Sequence, residues 1–248
     1  LVVVCFFFSD YILNFLLEPY YYILENDEDI RNSNIRPRAI ATALYEILFT
    51  QIKAAVFLGT ILASPVLLYQ IWKFIAPGLY KNERKAFWPF LIATPFLFLL
   101  GGALVYYVLM PFAWKFFLSL QQIGEAGKIN IEIEAKISEY FNLVMRLILA
   151  FGFCFQLPVA ASLMGRVGLI SSDGMRSARK YAILAVFVVA AVVTPPDPIS
   201  QLSLAIPIVL LYEISILLVK MIERGREDDE FYDDEDEEDD DDEDLEES

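Results

Sequence analysis

The chain is predicted to be all-α and polytopic, with six transmembrane helices in a bundle and both ends cytoplasmic. Three observations carry that prediction. Of 248 residues, 57% are hydrophobic and 15% aromatic, well above a soluble domain. The apolar residues fall in long runs, several of a length that crosses a hydrocarbon core of about 30 Å. Lys and Arg gather in alternate connections, as they do on the cytoplasmic side of a membrane protein.

The formal net charge of −15 conceals this pattern. Residues 227–248 hold 18 of the 34 acids and no base, which leaves 16 acids against 19 Lys+Arg in the membrane body. That body is mildly basic. The acidic stretch is too charged to bury anything and is expected to be a disordered cytoplasmic tail. The chain therefore divides into a six-helix membrane unit, residues 1–220, and a tail, residues 221–248.

Histidine is absent, which removes the usual general base, the usual metal ligand and any Ser-His pair. Hydrolytic chemistry is not expected on that ground, nor is any catalytic residue, metal or cofactor. Cys5 and Cys154 sit alone in apolar runs and read as packing thiols.

Residues 1–17 are apolar and aromatic apart from Ser9, Asp10 and Asn14. With no basic segment before the run and no small-residue cleavage site after it, they read as the outer part of a first spanning helix. Residues 18–46 form an outer loop with the acids of 25–29 and then Arg31, Arg36 and Arg38. Residues 47–72 make the second span. Pro65 kinks it, with neighbouring helices expected to satisfy the freed carbonyl. Lys53 lies near its outer end, where a long side chain can snorkel.

Residues 88–112 make the third span, and its adjacent Gly101 and Gly102 permit close helix contact. Trp72, Trp88 and Trp114 fall at span ends, the position of interfacial aromatics. Residues 115–140 are a second outer loop, followed by a fourth span over 141–164 with Arg146 near one end and Gln156 deep inside. A basic inner loop of Arg166, Arg176, Arg179 and Lys180 precedes a short fifth span, 181–194, of about fourteen residues. Residues 195–198, Pro-Pro-Asp-Pro, are a rigid turn, and 199–219 return through the membrane with Gln201, Pro207 and Glu213.

The candidate working site is the polar turn 74–85, FIAPGLYKNERK, between the second and third spans. Lys73, Lys81, Arg84 and Lys85 crowd a single acid, Glu83. A carboxylate at a membrane surface is suited to bidentate pairing with guanidinium groups. Read from the residues alone, a solvated acid paired with Arg84 or Lys81 remains the alternative.

Four blocks of sequence also resemble one family. Residues 64–84, SPVLLYQIWKFIAPGLYKNER, resemble the second helix and first inner loop of TatC, the core subunit of the twin-arginine protein translocase. Residues 151–158, FGFCFQLP, resemble its fourth helix; 194–198, TPPDP, its last outer turn; and 205–207, AIP, with 211–213, LYE, its sixth helix. The resemblance implies a cup-shaped, six-helix receptor of the bacterial inner membrane that is not an enzyme. Such a receptor binds twin-arginine signal peptides of folded cargo, assembles with TatA and TatB type single-span proteins, and works on the proton-motive force. It implies membership of an oligomeric receptor complex in the lipid bilayer and no nucleic acid.

On this resemblance Phe74, Pro77, Tyr80, Glu83 and Arg84 are the signal-peptide-binding candidates, with Glu83 as the recognition acid. Thr194 and Gln201 are the candidates for partner-helix docking. Gln156 is the polar candidate of the concave face, at a place where the family often carries glutamate. The alternative from another class is an ion-coupled small-solute transporter, whose pathway would use Lys53, Arg146, Gln156 and Glu213. The internal symmetry common in such transporters is not evident.

Overall fold

Inside a bilayer the peptide groups have no water to bond to, so each apolar run satisfies them internally as a helix. The computed structural model describes residues 1–26, 39–41, 43–75, 88–119, 135–194 and 198–246. The first column is α1 (Val2–Phe7) and α2 (Ser9–Asn26), stepped at Phe8. The second is α3 (Leu44–Ile75). The third is α4 (Trp88–Leu104), a π-helical turn (Val105–Leu109) and α5 (Met110–Ser119). The fourth is α6 (Ile137–Cys154) and α7 (Leu157–Arg166), the fifth α8 (Ser172–Val193), and the sixth α9 (Pro198–Glu246).

Prolines set the irregularities. Pro65 leaves the carbonyl of Ile61 without its helical donor, and the hydroxyl of Ser64 donates to that oxygen at 2.7 Å. The repair is local, not the neighbouring-helix contact that was expected. Pro111 would press its ring on the carbonyl four residues back. The wider turn over Val105–Leu109 precedes it, closed by Met110 N–H donating to Val105 O, and such a bulge makes room for the ring. Pro158 interrupts the helix differently, at the step between α6 and α7, where Phe155 and Gln156 form a tighter turn closed by Gln156 N–H donating to Phe153 O at 3.0 Å.

Among the described residues, four stretches are long and apolar enough to cross a membrane: Tyr45–Ile71, Ile92–Phe117, Ile137–Arg166 and Ser200–Gly225. The first and fifth columns are helical but more polar or interrupted. Large apolar side chains stay exposed along every column, among them Phe7, Leu62, Phe96, Phe153, Val192 and Leu217. A surface of that kind suits lipid, not water. The all-α polytopic class read from the sequence is the class of the structure.

Two elements differ from the sequence reading. Residues Ala39–Ile40 (β1) pair in parallel with Ala135–Lys136 (β2), Ala39 opposite Ala135 and Ile40 opposite Lys136. This short ladder joins the two segments read as outer loops. At the other end α9 stays helical to Glu246, where the sequence argued for disorder. A helix already nucleated in the span extends at one hydrogen bond per residue, although dense like charge opposes it.

The fourth column is the centre of the packing. Phe141, Val144, Ile148 and Phe151 of α6 are buried against Val105, Met110, Leu204 and Ile208. Glycines set the closeness of α4 and α6. A Cβ on Gly101 would lie 2.7 Å from Phe151 O, and one on Gly152 would lie 2.5 Å from the Phe98 ring. Gly165 admits Val219 in the same way between α7 and α9. Cys5 is buried and Cys154 half-buried, both free thiols in apolar packing as expected.

Candidate functional site

The turn read as the peptide-binding site lies between the end of α3 at Ile75 and the start of α4 at Trp88. Pro77, Tyr80, Glu83 and Arg84 lie outside the described residues. Phe74 is in the final turn of α3, where the backbone alone is described.

The last two columns are joined at both ends. Ser171 caps α8 by accepting from Gly174 N–H at 3.1 Å, and the helix therefore begins inside the segment read as a basic inner loop. The sequence carried this signal as a Ser ahead of Ser172 and Asp173. Glu223 of α9 accepts from Ser172 N–H at 2.9 Å, a carboxylate at the positive end of the helix dipole. One to two turns on, Arg179 meets Glu213 at 2.7 Å, and Tyr212 Oη donates to Met175 O at 2.9 Å. Arg179 and Glu213 are half-exposed, so their pair holds register more than it stabilises.

At the opposite end sit the two docking candidates. Thr194 is buried, and its Oγ1 donates to Ala190 O at 2.8 Å, closing α8. Met110, Leu143 and Ser203 line a narrow apolar cleft beside it. Gln201, in the first turns of α9, donates through Nε2 to Phe187 O at 3.1 Å. Both residues therefore bind within the α8–α9 hairpin.

Gln156 sits on the step between α6 and α7, half-buried. Its Nε2 donates to Thr94 O at 3.0 Å and lies 3.5 Å from Gly152 O. Two carbonyls on that side fix the amide's orientation, because a flipped oxygen would face oxygen. Oε1 is buried without a hydrogen-bond partner. The amide is thus a joint between the third and fourth columns with one acceptor unspent.

Several joints near the β1–β2 end were not singled out from the sequence. Glu46 is buried; its Oε2 accepts from Ala43 N–H at 3.3 Å, half of a capping box, and its Oε1 accepts from Ser138 Oγ at 2.5 Å. One carboxylate thereby ties the start of α3 to the start of α6. Tyr140 donates to Leu16 O, and Tyr106 donates to Phe15 O at 2.7 Å while stacking on the Phe15 ring at 4.5 Å. Trp114, expected at an interface, packs between Tyr20 and Tyr140. An Ala-x-x-Glu run and scattered tyrosines are too common in sequences to mark such contacts beforehand.

An apolar helical bundle with lipid-facing columns, few internal polar groups and an inner turn rich in cations defines a multi-pass helical membrane protein. Comparison with known proteins narrows that class. Residues 1–207 match the family model "Sec-independent protein translocase protein (TatC)". The chain is 46% identical over 228 residues to the Sec-independent protein translocase protein TatC of Magnetococcus marinus, covering 92% of this chain and 79% of that one. It is 40% identical over 223 residues to the TatC of Rickettsia prowazekii, covering 90% and 85%. A crystal structure of a twin-arginine translocase receptor, TatC, superposes with a TM-score of 0.74 at 35% identity, over 89% of this chain and 90% of that one. The chain belongs to the TatC family of Sec-independent protein translocase proteins. It is a multi-pass protein of the bacterial inner membrane and a component of protein translocation.

Proposed function

We propose that this chain is the receptor subunit of a twin-arginine translocase, a cup of six helices with both ends cytoplasmic. It captures the signal peptides of folded cargo at the turn 74–85, with Glu83 paired to the peptide's guanidinium groups and Phe74, Pro77, Tyr80 and Arg84 around it. It assembles with TatA and TatB type single-span proteins along the α8–α9 hairpin, marked by Thr194 and Gln201, with Gln156 as the polar residue of the concave face. Transport is driven by the proton-motive force, and the chain performs no enzymatic step.

The observation that carries this reading is the likeness to a solved twin-arginine translocase receptor over nine-tenths of both chains. The relatives favour it over the ion-coupled solute transporter. Capture of a twin-arginine peptide by the purified protein tests it, with a twin-lysine peptide as control. Selective capture supports the receptor, whereas equal capture of both peptides overturns it.

A further inference from the structure

Lys53 and Arg146 are both exposed on helices that cross the membrane, an arrangement that is costly without a counter-charge. Lys53 lies nine residues into α3 and Arg146 nine residues into α6, which places both about 14 Å from the helix starts at the β1–β2 end. They therefore share one depth. Asn142 links them: Lys53 Nζ donates to Asn142 Oδ1 at 3.1 Å, and Arg146 follows Asn142 by one turn, on the same face of α6. Among the described residues no carboxylate lies within salt-bridge range of either cation.

From this we propose that Lys53, Asn142 and Arg146 form a binding site for the phosphate of an anionic phospholipid. The chemistry matches on each count. A guanidinium presents paired donors to phosphate oxygens, an ammonium supplies a point charge, and the Asn142 amide nitrogen remains to donate because its oxygen is taken by Lys53. Depth matches as well. α3 has 32 residues and spans about 48 Å, against a hydrocarbon core of about 30 Å. A centred helix puts the two cations about 5 Å below the hydrocarbon boundary, within snorkelling reach of headgroup phosphate. Exposed Phe49, Ile52 and Val56 of α3 and Phe153 of α6 flank the cluster and suit acyl chains. A zwitterionic lipid brings its own cation to the site; an anionic one neutralises it.

The test is lipid binding by the full chain in detergent, read by native mass spectrometry and by thermal stability with added phosphatidylglycerol or phosphatidylcholine. The wild-type protein is expected to retain phosphatidylglycerol through delipidation and to gain stability from it, but not from phosphatidylcholine. Lys53→Gln with Arg146→Gln should weaken that binding at least about tenfold, the effect of losing one charge-assisted hydrogen bond. Lys53→Arg with Arg146→Lys should keep it, which separates loss of charge from misfolding. Equal retention by the Gln variant, equal stabilisation by both lipids, or occupation of the pair by an acid-bearing single-span helix with no lipid effect would overturn the proposal.

Discussion

Replacing Gly101 with alanine should destabilise the bundle far more than the same change one residue on, at Gly102. A Cβ at Gly101 would stand 2.7 Å from Phe151 O and 2.9 Å from Phe155 Cδ2. The first of these is backbone, so α4 and α6 must separate or shift. At Gly102 the nearest atom is the Ile148 Cγ2 methyl at 3.2 Å, a side-chain end that can move by a few tenths of an ångström. Overpacking of the first kind costs about 1–3 kcal/mol. Taking about 2 kcal/mol for Gly101→Ala gives a midpoint lower by about 4–8 °C for a chain of this size. For Gly102→Ala about 0.5 kcal/mol or less is expected. The assay is thermal unfolding in one detergent, followed by monodispersity on gel filtration. Gly101→Ala at or above the stability of Gly102→Ala would refute the close approach of α4 and α6.

Thr194→Val with Gln201→Leu removes the hydroxyl bond that closes α8 and the amide bond that ties α9 to it, and should reduce co-purification of TatA and TatB type partners more than it reduces peptide capture. Equal loss of both activities would indicate general misfolding instead. Truncation after Arg226 should leave export of a twin-arginine reporter intact at physiological salt, because charge attraction from the tail is screened beyond about 8 Å. An export defect would show that the tail binds a specific partner.

The membrane class, the close contact at Gly101 and the free thiols were legible because each follows from composition or spacing alone. Helix ends were less so. The apolar run of the fifth span starts at Tyr181, but Ser171 caps the helix and Glu223 and Glu213 receive its polar first turns. Hydropathy registers the lipid-buried part of a helix and is blind to the part that projects. The π-helical turn was hidden because Pro111 signals a disturbance without saying whether the helix kinks or widens. Glu46, Ser138 and Tyr140 were hidden for a different reason. Their partners lie about ninety or more residues away, and such pairings depend on which columns become neighbours. The site itself was read from local chemistry, a lone acid among four cations in a turn, and its family assignment rests on motifs that, apart from 211–213, lie within the residues matched to TatC.

Signal-peptide capture by Glu83 variants tests the central proposal most directly. Crosslinking of a twin-arginine peptide to membranes containing wild-type, Glu83→Gln or Glu83→Lys protein should fall severely with Gln and further with Lys, since reversal sets a cation against two guanidinium groups. Membrane insertion and gel-filtration behaviour should be unchanged in all three. Undiminished crosslinking and export with Glu83→Lys would contradict the role assigned to this residue.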